Sequence, residues 1–72
     1  MSENAHNLAN LVLPERQSKW KHHSGTVYEV LYITNLKATK PDYPVTVVYQ
    51  DSEGEVWSHP LEFWHSRMSL MS

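Results

Sequence analysis

Two stretches of β-branched and aromatic residues occupy the centre of the chain, at positions 26–34 and 45–50. Their composition, and the period-two alternation of side chains in an extended chain, are typical of β-strands. The polar segment between them, residues 35–44, contains Pro41 and Pro44 and has the length of a long connecting loop. The pattern therefore predicts an antiparallel pair of strands against which the flanking segments pack.

Two shorter segments beside this pair also have strand-like patterns. Residues 18–24 place Trp20 and His22 on one face and lysines on the other, as in an edge strand that charge protects from aggregation. Residues 55–58 follow a polar turn at 51–54, in which Gly54 is free to take a positive φ. These segments predict two further strands of the same sheet.

Helical patterns are confined to the two ends of the chain. The i, i+3, i+4 spacing of Leu8, Leu11 and Val12 indicates a short helical face, which Pro14 would terminate. The segment is either a frayed tail with one turn of helix or a helix packed on the barrel or on a partner chain. Near the other end, Pro60 favours a helix start, and the face of that helix carries Leu61, Trp64 and Met68. Residues 66–72 show no strong pattern and are expected to fray, although Leu70 and Met71 could dock.

These elements predict a mainly β fold. We expect a small curved antiparallel sheet or a Src-homology-3-like barrel of four to five strands, with an N-terminal helix or arm and a C-terminal helical turn. A closed barrel would have no exposed strand edges. The alternative fold is an open antiparallel sheet with one helix packed across it. The expected division is an arm at 1–17, a β domain at 18–66 and a frayed tail at 67–72. The predicted core comprises Val30, Leu31, Ile33, Val47 and Trp57.

Composition restricts the classes of function. The 72 residues suffice for one domain with a small core, and the absence of cysteine excludes a disulfide. A net charge of −2 argues against binding to duplex nucleic acid, which favours a basic surface. We find neither a secretory signal pattern nor an apolar stretch long enough to span a membrane. The expected location is the cytoplasm, or the host cytoplasm for a phage-encoded protein.

A series of short motifs runs from residue 20 to residue 64: Trp20-x-His22, Gly25-x-x-Tyr28-Glu29-Val30, Val47-Val48-Tyr49, an Asp51-x-x-Gly54 turn and Trp57-x-x-Pro60-Leu61-x-Phe63. Their order and spacing resemble the bacterial and phage family catalogued as domain of unknown function 1653. The chain departs from that family in its N-terminal extension, its proline-containing loop and Ser58, where members often carry arginine. The resemblance implies a small β-rich domain with no established activity, in a version that looks phage- or mobile-element-encoded.

Metal and catalytic chemistry have weak support in the sequence. His22 and His23 are adjacent, so a strand would point them to opposite faces, and His59 and His65 lack the i, i+4 spacing of helical ligand pairs. We therefore predict no metal site and no cofactor.

The residue types of a catalytic triad occur at Ser24, His22 and Glu29, but their spacing does not fix the geometry that a triad needs. We predict a protein that is not an enzyme, and keep a hydrolase as a minor alternative.

The aromatic residues carry the functional prediction. One interpretation is that three or four of them simply form the core. The other is a groove that stacks on a planar ligand or grips an extended peptide, lined by Trp20, His22, Tyr28, Tyr49 and Trp57. We predict a non-catalytic binding module, in which a phage-encoded modulator of a host or bacterial protein is the leading hypothesis. The alternative is a protein that binds a small molecule or a nucleotide, and a homodimer is compatible with either.

Overall fold

The computed structural model describes residues 12–71, so the predicted helical positions Leu8 and Leu11 lie outside the described part of the chain. Five strands and one helix follow one another in the order β1 (Lys19–His22), β2 (Val27–Thr34), β3 (Thr46–Gln50), β4 (Val56–Pro60), α1 (Leu61–Arg67) and β5 (Met68–Leu70). The strands form one antiparallel sheet in the spatial order β4-β3-β2-β1-β5. The mainly β, antiparallel prediction is confirmed in its open-sheet form, because β4 and β5 lie at opposite edges and do not close a barrel.

Two predictions about the ends of the sheet are wrong. Residues 68–70 form β5 instead of fraying, with Met68 opposite His22 and Leu70 opposite Trp20. A further hydrogen bond stabilises the pairing of β5 with β1, since the amide of Met71 donates to the carbonyl of Lys19 at 3.0 Å. Consequently β1 has a neighbour on each side and is an interior strand, although its lysines suggested an edge.

A β-bulge in β2 changes which side chains reach the core. Val30 pairs with Tyr49, but the next pair in the register is Tyr32 with Val48, which leaves Leu31 as the additional residue. An extra residue reverses the alternation beyond it. Ile33 therefore lies on the face of Val30 and packs against the core, whereas simple alternation had placed Ile33 with Leu31 on the other face.

Helix α1 crosses one face of the sheet, which we call the covered face, and supplies much of the core. It follows Pro60, which is the N-cap residue and not the first helical residue. Two residues of the predicted helical face, Leu61 and Trp64, are buried on α1, whereas the third, Met68, is buried as the first residue of β5 and does not belong to the helix. The core comprises Trp20, Val30, Val47, Tyr49, Leu61, Trp64 and Met68. Leu31, like Ile33, is partly buried, whereas Trp57 is 48% exposed and was wrongly predicted to be mostly buried.

The segment before β1 covers part of the same face. Pro14 is buried, and the ring Nε2 of His65 donates to the carbonyl of Val12 at 2.7 Å. The amide of Gln17 donates to the carbonyl of Val30 at 2.7 Å, so the segment continues directly into the sheet. Val12 itself is 58% exposed.

Candidate functional site

The register of the sheet places all five predicted site residues on the covered face. Trp20 lies opposite Tyr28, and Tyr49 lies opposite Trp57. Cross-strand partners in an antiparallel sheet project to the same side, and His22 is two positions from Trp20 on the same strand. The spatial grouping that the sequence predicted is therefore present in the backbone.

The structure divides these residues into buried and accessible ones. Trp20 is 6% exposed and Tyr49 is 9% exposed, and both belong to the core. Their rings make edge-to-face contacts with Trp64, at centroid distances of 5.5 Å from Trp20 and 5.0 Å from Tyr49. Trp64 is fully buried at the centre of this cluster, so these three rings stabilise the fold and present little surface to a ligand.

An open corner of the covered face remains beside the first residues of β4. Trp57 is 48% exposed there, and its indole Nε1 donates to the carboxylate of Asp51 at 3.4 Å. Phe63 of α1 is 49% exposed, and its ring centroid lies 6.4 Å from that of His59. We call the accessible aromatic residues of this face the aromatic patch, which comprises His22, Tyr28, Trp57, His59 and Phe63.

His22 and Tyr28 continue the patch toward β1. Their ring centroids are 6.4 Å apart, and the ring of Tyr28 contacts that of Tyr49 at 4.9 Å in an edge-to-face arrangement. Burial, with a smaller contribution from Tyr28, raises the pKa of Tyr49. The hydroxyl group of Tyr49 is therefore a neutral hydrogen-bonding group at ordinary pH.

The turn after β1 fixes the protonation of His22. The backbone N–H of Ser24 donates to Nδ1 at 3.1 Å, and the Ser24 hydroxyl lies 2.8 Å from the same nitrogen. Because an amide can only donate, Nδ1 is the acceptor and the neutral ring carries its proton on Nε2. Desolvation, and then the positive charges of His23 and Arg67, lower the pKa of His22. The ring thus presents a neutral N–H donor.

His59 brings an unsatisfied polar atom to the patch. Its Nε2 is buried and has no hydrogen-bond partner among the described residues. Burial, followed by the charges of Arg67 and His22, lowers the pKa of His59, so the ring is neutral near pH 7. Arg67 is the last residue of α1 and makes no ion pair within 4.0 Å in the described part of the chain. The patch therefore combines aromatic surface with a positive charge and neutral imidazoles.

The residues considered for catalysis are not brought together. Ser24 and His22 are in contact, but Glu29 projects from the opposite face, where it accepts a hydrogen bond from Gln50 at 3.2 Å and lies 3.9 Å from Lys19. Among residues 12–71, no group of three or more histidine and acidic side chains is placed to hold a metal ion.

A depression of about 320 Å³ lies beside the turn between β3 and β4, and Tyr28 of the aromatic patch is among its lining residues. Its walls include the ion pair of Lys19 with Glu29, together with Gln50 and Ser52. These polar groups are partly satisfied by one another, so the depression offers a weaker case for a ligand than the aromatic patch does.

Sequence reasoning missed Phe63 and His59 as members of the aromatic patch, and Arg67 as the charge that acts on His22 and His59. The helical spacing of Leu61, Trp64 and Met68 indicated which side of α1 faces inward. It carried no information about the direction in which α1 crosses the sheet. That direction decides which corner of the covered face stays open, and hence which aromatic residues a partner can reach.

No helix in residues 12–71 is both long enough and apolar enough to cross a membrane. Comparison of the chain with protein-family models, with curated proteins and with solved structures gave no match, so the family resemblance stays a prediction.

Proposed function

We propose that this protein is a small non-catalytic binding module that recognises a partner protein through the aromatic patch. The observation that supports the proposal is the exposure of Trp57 and Phe63 in a domain that fully buries Trp64. Aromatic side chains are enriched at the centres of protein interfaces, because they bury a large area with few rotatable bonds. A bacterial or host protein is the first partner class to test, following the family resemblance.

The electrostatics of the patch favour an acidic segment of such a partner. Arg67 supplies a positive charge that lacks a carboxylate within ion-pair distance in the described residues, and His22 presents a ring N–H. A carboxylate can accept from both kinds of donor. A partner with an acidic side chain next to an apolar one would match the patch best.

A capture experiment with matched variants tests this function. Wild type, Trp57→Ala and Phe63→Ala are immobilised and exposed to bacterial lysate, with Tyr43→Ala as the control. Tyr43 is 57% exposed but belongs to the loop between β2 and β3, so its loss leaves the patch intact. We expect a protein that the wild type and the control retain and that both patch variants lose. Equal retention by all four folded proteins would contradict the proposal.

A small planar anion, such as a nucleotide, is the second candidate ligand. The observation that favours it is the exposed ring of Phe63, which lies beside His59, a residue close enough to Arg67 for that charge to lower its pKa. A ligand at 100 times its dissociation constant would add about 2.7 kcal/mol to the free energy of unfolding. Thermal unfolding with individual nucleotides separates this candidate, because only the wild type and not Phe63→Ala should then be stabilised.

A further inference from the structure

Strand β4 is an edge of the sheet, and the hydrogen-bonding pattern identifies which of its backbone groups are free. The amide of Asp51 donates to Glu55 at 3.0 Å, and the amide of Leu61 donates to Val45 at 2.8 Å. In an antiparallel pair the bonded positions alternate along the strand. Trp57 and His59 therefore direct their amides and carbonyls to β3, whereas Val56 and Ser58 direct theirs outward.

This edge lacks the usual protection against pairing with another strand. Natural edges often carry lysine or another charged side chain. Here the lysines lie on β1, which β5 covers, while the sequence of β4 is Val-Trp-Ser-His-Pro and contains no residue that is charged near pH 7. Val56 and Trp57 are 57% and 48% exposed, so the free edge is also apolar on both of its faces.

We propose that the occupant of this edge is the β4 strand of a second copy of the chain, paired antiparallel across a two-fold axis. A two-fold contact needs a surface that complements itself. Each copy offers two donors and two acceptors, from Val56 and Ser58, and pairing Val56 with Ser58 of the second copy satisfies all of them in four hydrogen bonds. An uncharged strand also meets its own copy without repulsion between like charges.

Pro60 selects this register over its neighbour. A register centred on Ser58 would set Val56 against Pro60, which has no amide hydrogen to donate to the Val56 carbonyl. The register centred on Trp57 avoids that loss. In the same register the two Trp57 residues form a non-hydrogen-bonded pair, which has the shorter of the two Cα–Cα distances found in antiparallel sheets. Their indole rings would therefore meet at the two-fold axis, on the side of the covered faces. The assembly is a continuous sheet of ten strands that joins the two aromatic patches.

Trp57 belongs both to this contact and to the aromatic patch, so the inference is tested with the protein alone, in the absence of any partner. Sedimentation equilibrium should give about twice the 8.4 kDa mass of the chain, decreasing toward the monomer on dilution. Ser58→Pro removes an outward amide without removing a bond to β3 and should leave a folded monomer. Ser58→Ala keeps that amide and should remain dimeric. A monomeric wild type, or a dimer unaffected by Ser58→Pro, would overturn the proposal.

Cross-linking provides a second measurement that does not depend on how well Ser58→Pro folds. The chain has no cysteine, so a single introduced cysteine reports one contact. Non-hydrogen-bonded partners have Cα atoms about 4.5 Å apart, which is within the range for a disulfide. Trp57→Cys should oxidise to a covalent dimer, whereas Tyr32→Cys, at a 55% exposed position on the interior strand β2, should not. Equal rates for the two variants would contradict pairing through β4.

Discussion

Trp64 and Trp57 allow one residue type to be compared in two environments, and replacing each with alanine tests the assignment of the core. Trp64 is fully buried, and its loss should cost ~3–5 kcal/mol from burial and cavity formation. Its two edge-to-face contacts, with Trp20 and Tyr49, add roughly 0.5–1.5 kcal/mol each. The total of roughly 4–8 kcal/mol is comparable with the ~4–11 kcal/mol expected for the whole stability of a 72-residue domain. Trp64→Ala should therefore be largely unfolded.

Only about half of the surface of Trp57 is buried, so Trp57→Ala should lower the free energy of unfolding much less than Trp64→Ala does. Half of the ~250 Å² that a tryptophan can bury, at ~25 cal/mol per Å², gives at most about 3 kcal/mol. Trp57→Ala should therefore keep its native circular dichroism and unfold at a lower urea concentration than the wild type.

Urea titrations followed by far-ultraviolet circular dichroism measure both variants. Because assembly would add concentration-dependent stability, they are run at several protein concentrations and compared at the lowest. If Trp57→Ala were as unfolded as Trp64→Ala, Trp57 would have to be a core residue, and the open corner that defines the aromatic patch would not exist.

Three further predictions concern pH, a turn and the last strand. Because burial and the charges of Arg67 and His22 lower the pKa of His59 below its ordinary 6.5, the unfolded chain binds that proton more tightly. The contribution of His59 to the free energy of unfolding should thus be complete above about pH 6.5 and should decrease as the pH falls toward the lowered pKa. The pH dependence of the urea midpoint should therefore differ between the wild type and His59→Gln. Gly54→Ala should cost about 1–2 kcal/mol, measured by thermal unfolding, because Gly54 has φ +85° and open space around its Cα, so the cost is conformational. A chain ending at Arg67 should unfold at a clearly lower urea concentration, since it loses β5 and the buried Met68; unchanged stability would support the frayed tail that the sequence suggested.

The local elements were predictable where several signals agreed. Residues 45–50 combine β-branched and aromatic types, and the structure has β3 at Thr46–Gln50. The turn at 51–54 needed a residue that tolerates positive φ, and Gly54 supplies it. Pro60 followed by an apolar helical spacing predicted α1. In each case the determining interactions lie within a few residues of one another.

The failures arose where distant segments decide the outcome. Met68–Leu70 has only three residues and no strand pattern of its own, and it is a strand because β1 offers it an edge. The bulge at Leu31 comes from the register with β3, which alternation along β2 does not reveal. Trp57 lies on the predicted face, but its exposure follows from the path of α1. The candidate site was thus predictable as a face of the sheet and not as an accessible surface.

The pairing of β1 with β5 also has a consequence for folding during synthesis. These two strands are the most widely separated in sequence of all the paired strands described here. Since the ribosome delivers the chain from its N-terminus, β1, β2, β3 and β4 emerge before β5 and can pair first. Until β5 arrives, β1 is an open edge of the nascent sheet. Lys19 and Lys21 lie on that strand, and they would discourage one nascent chain from pairing with another during that interval.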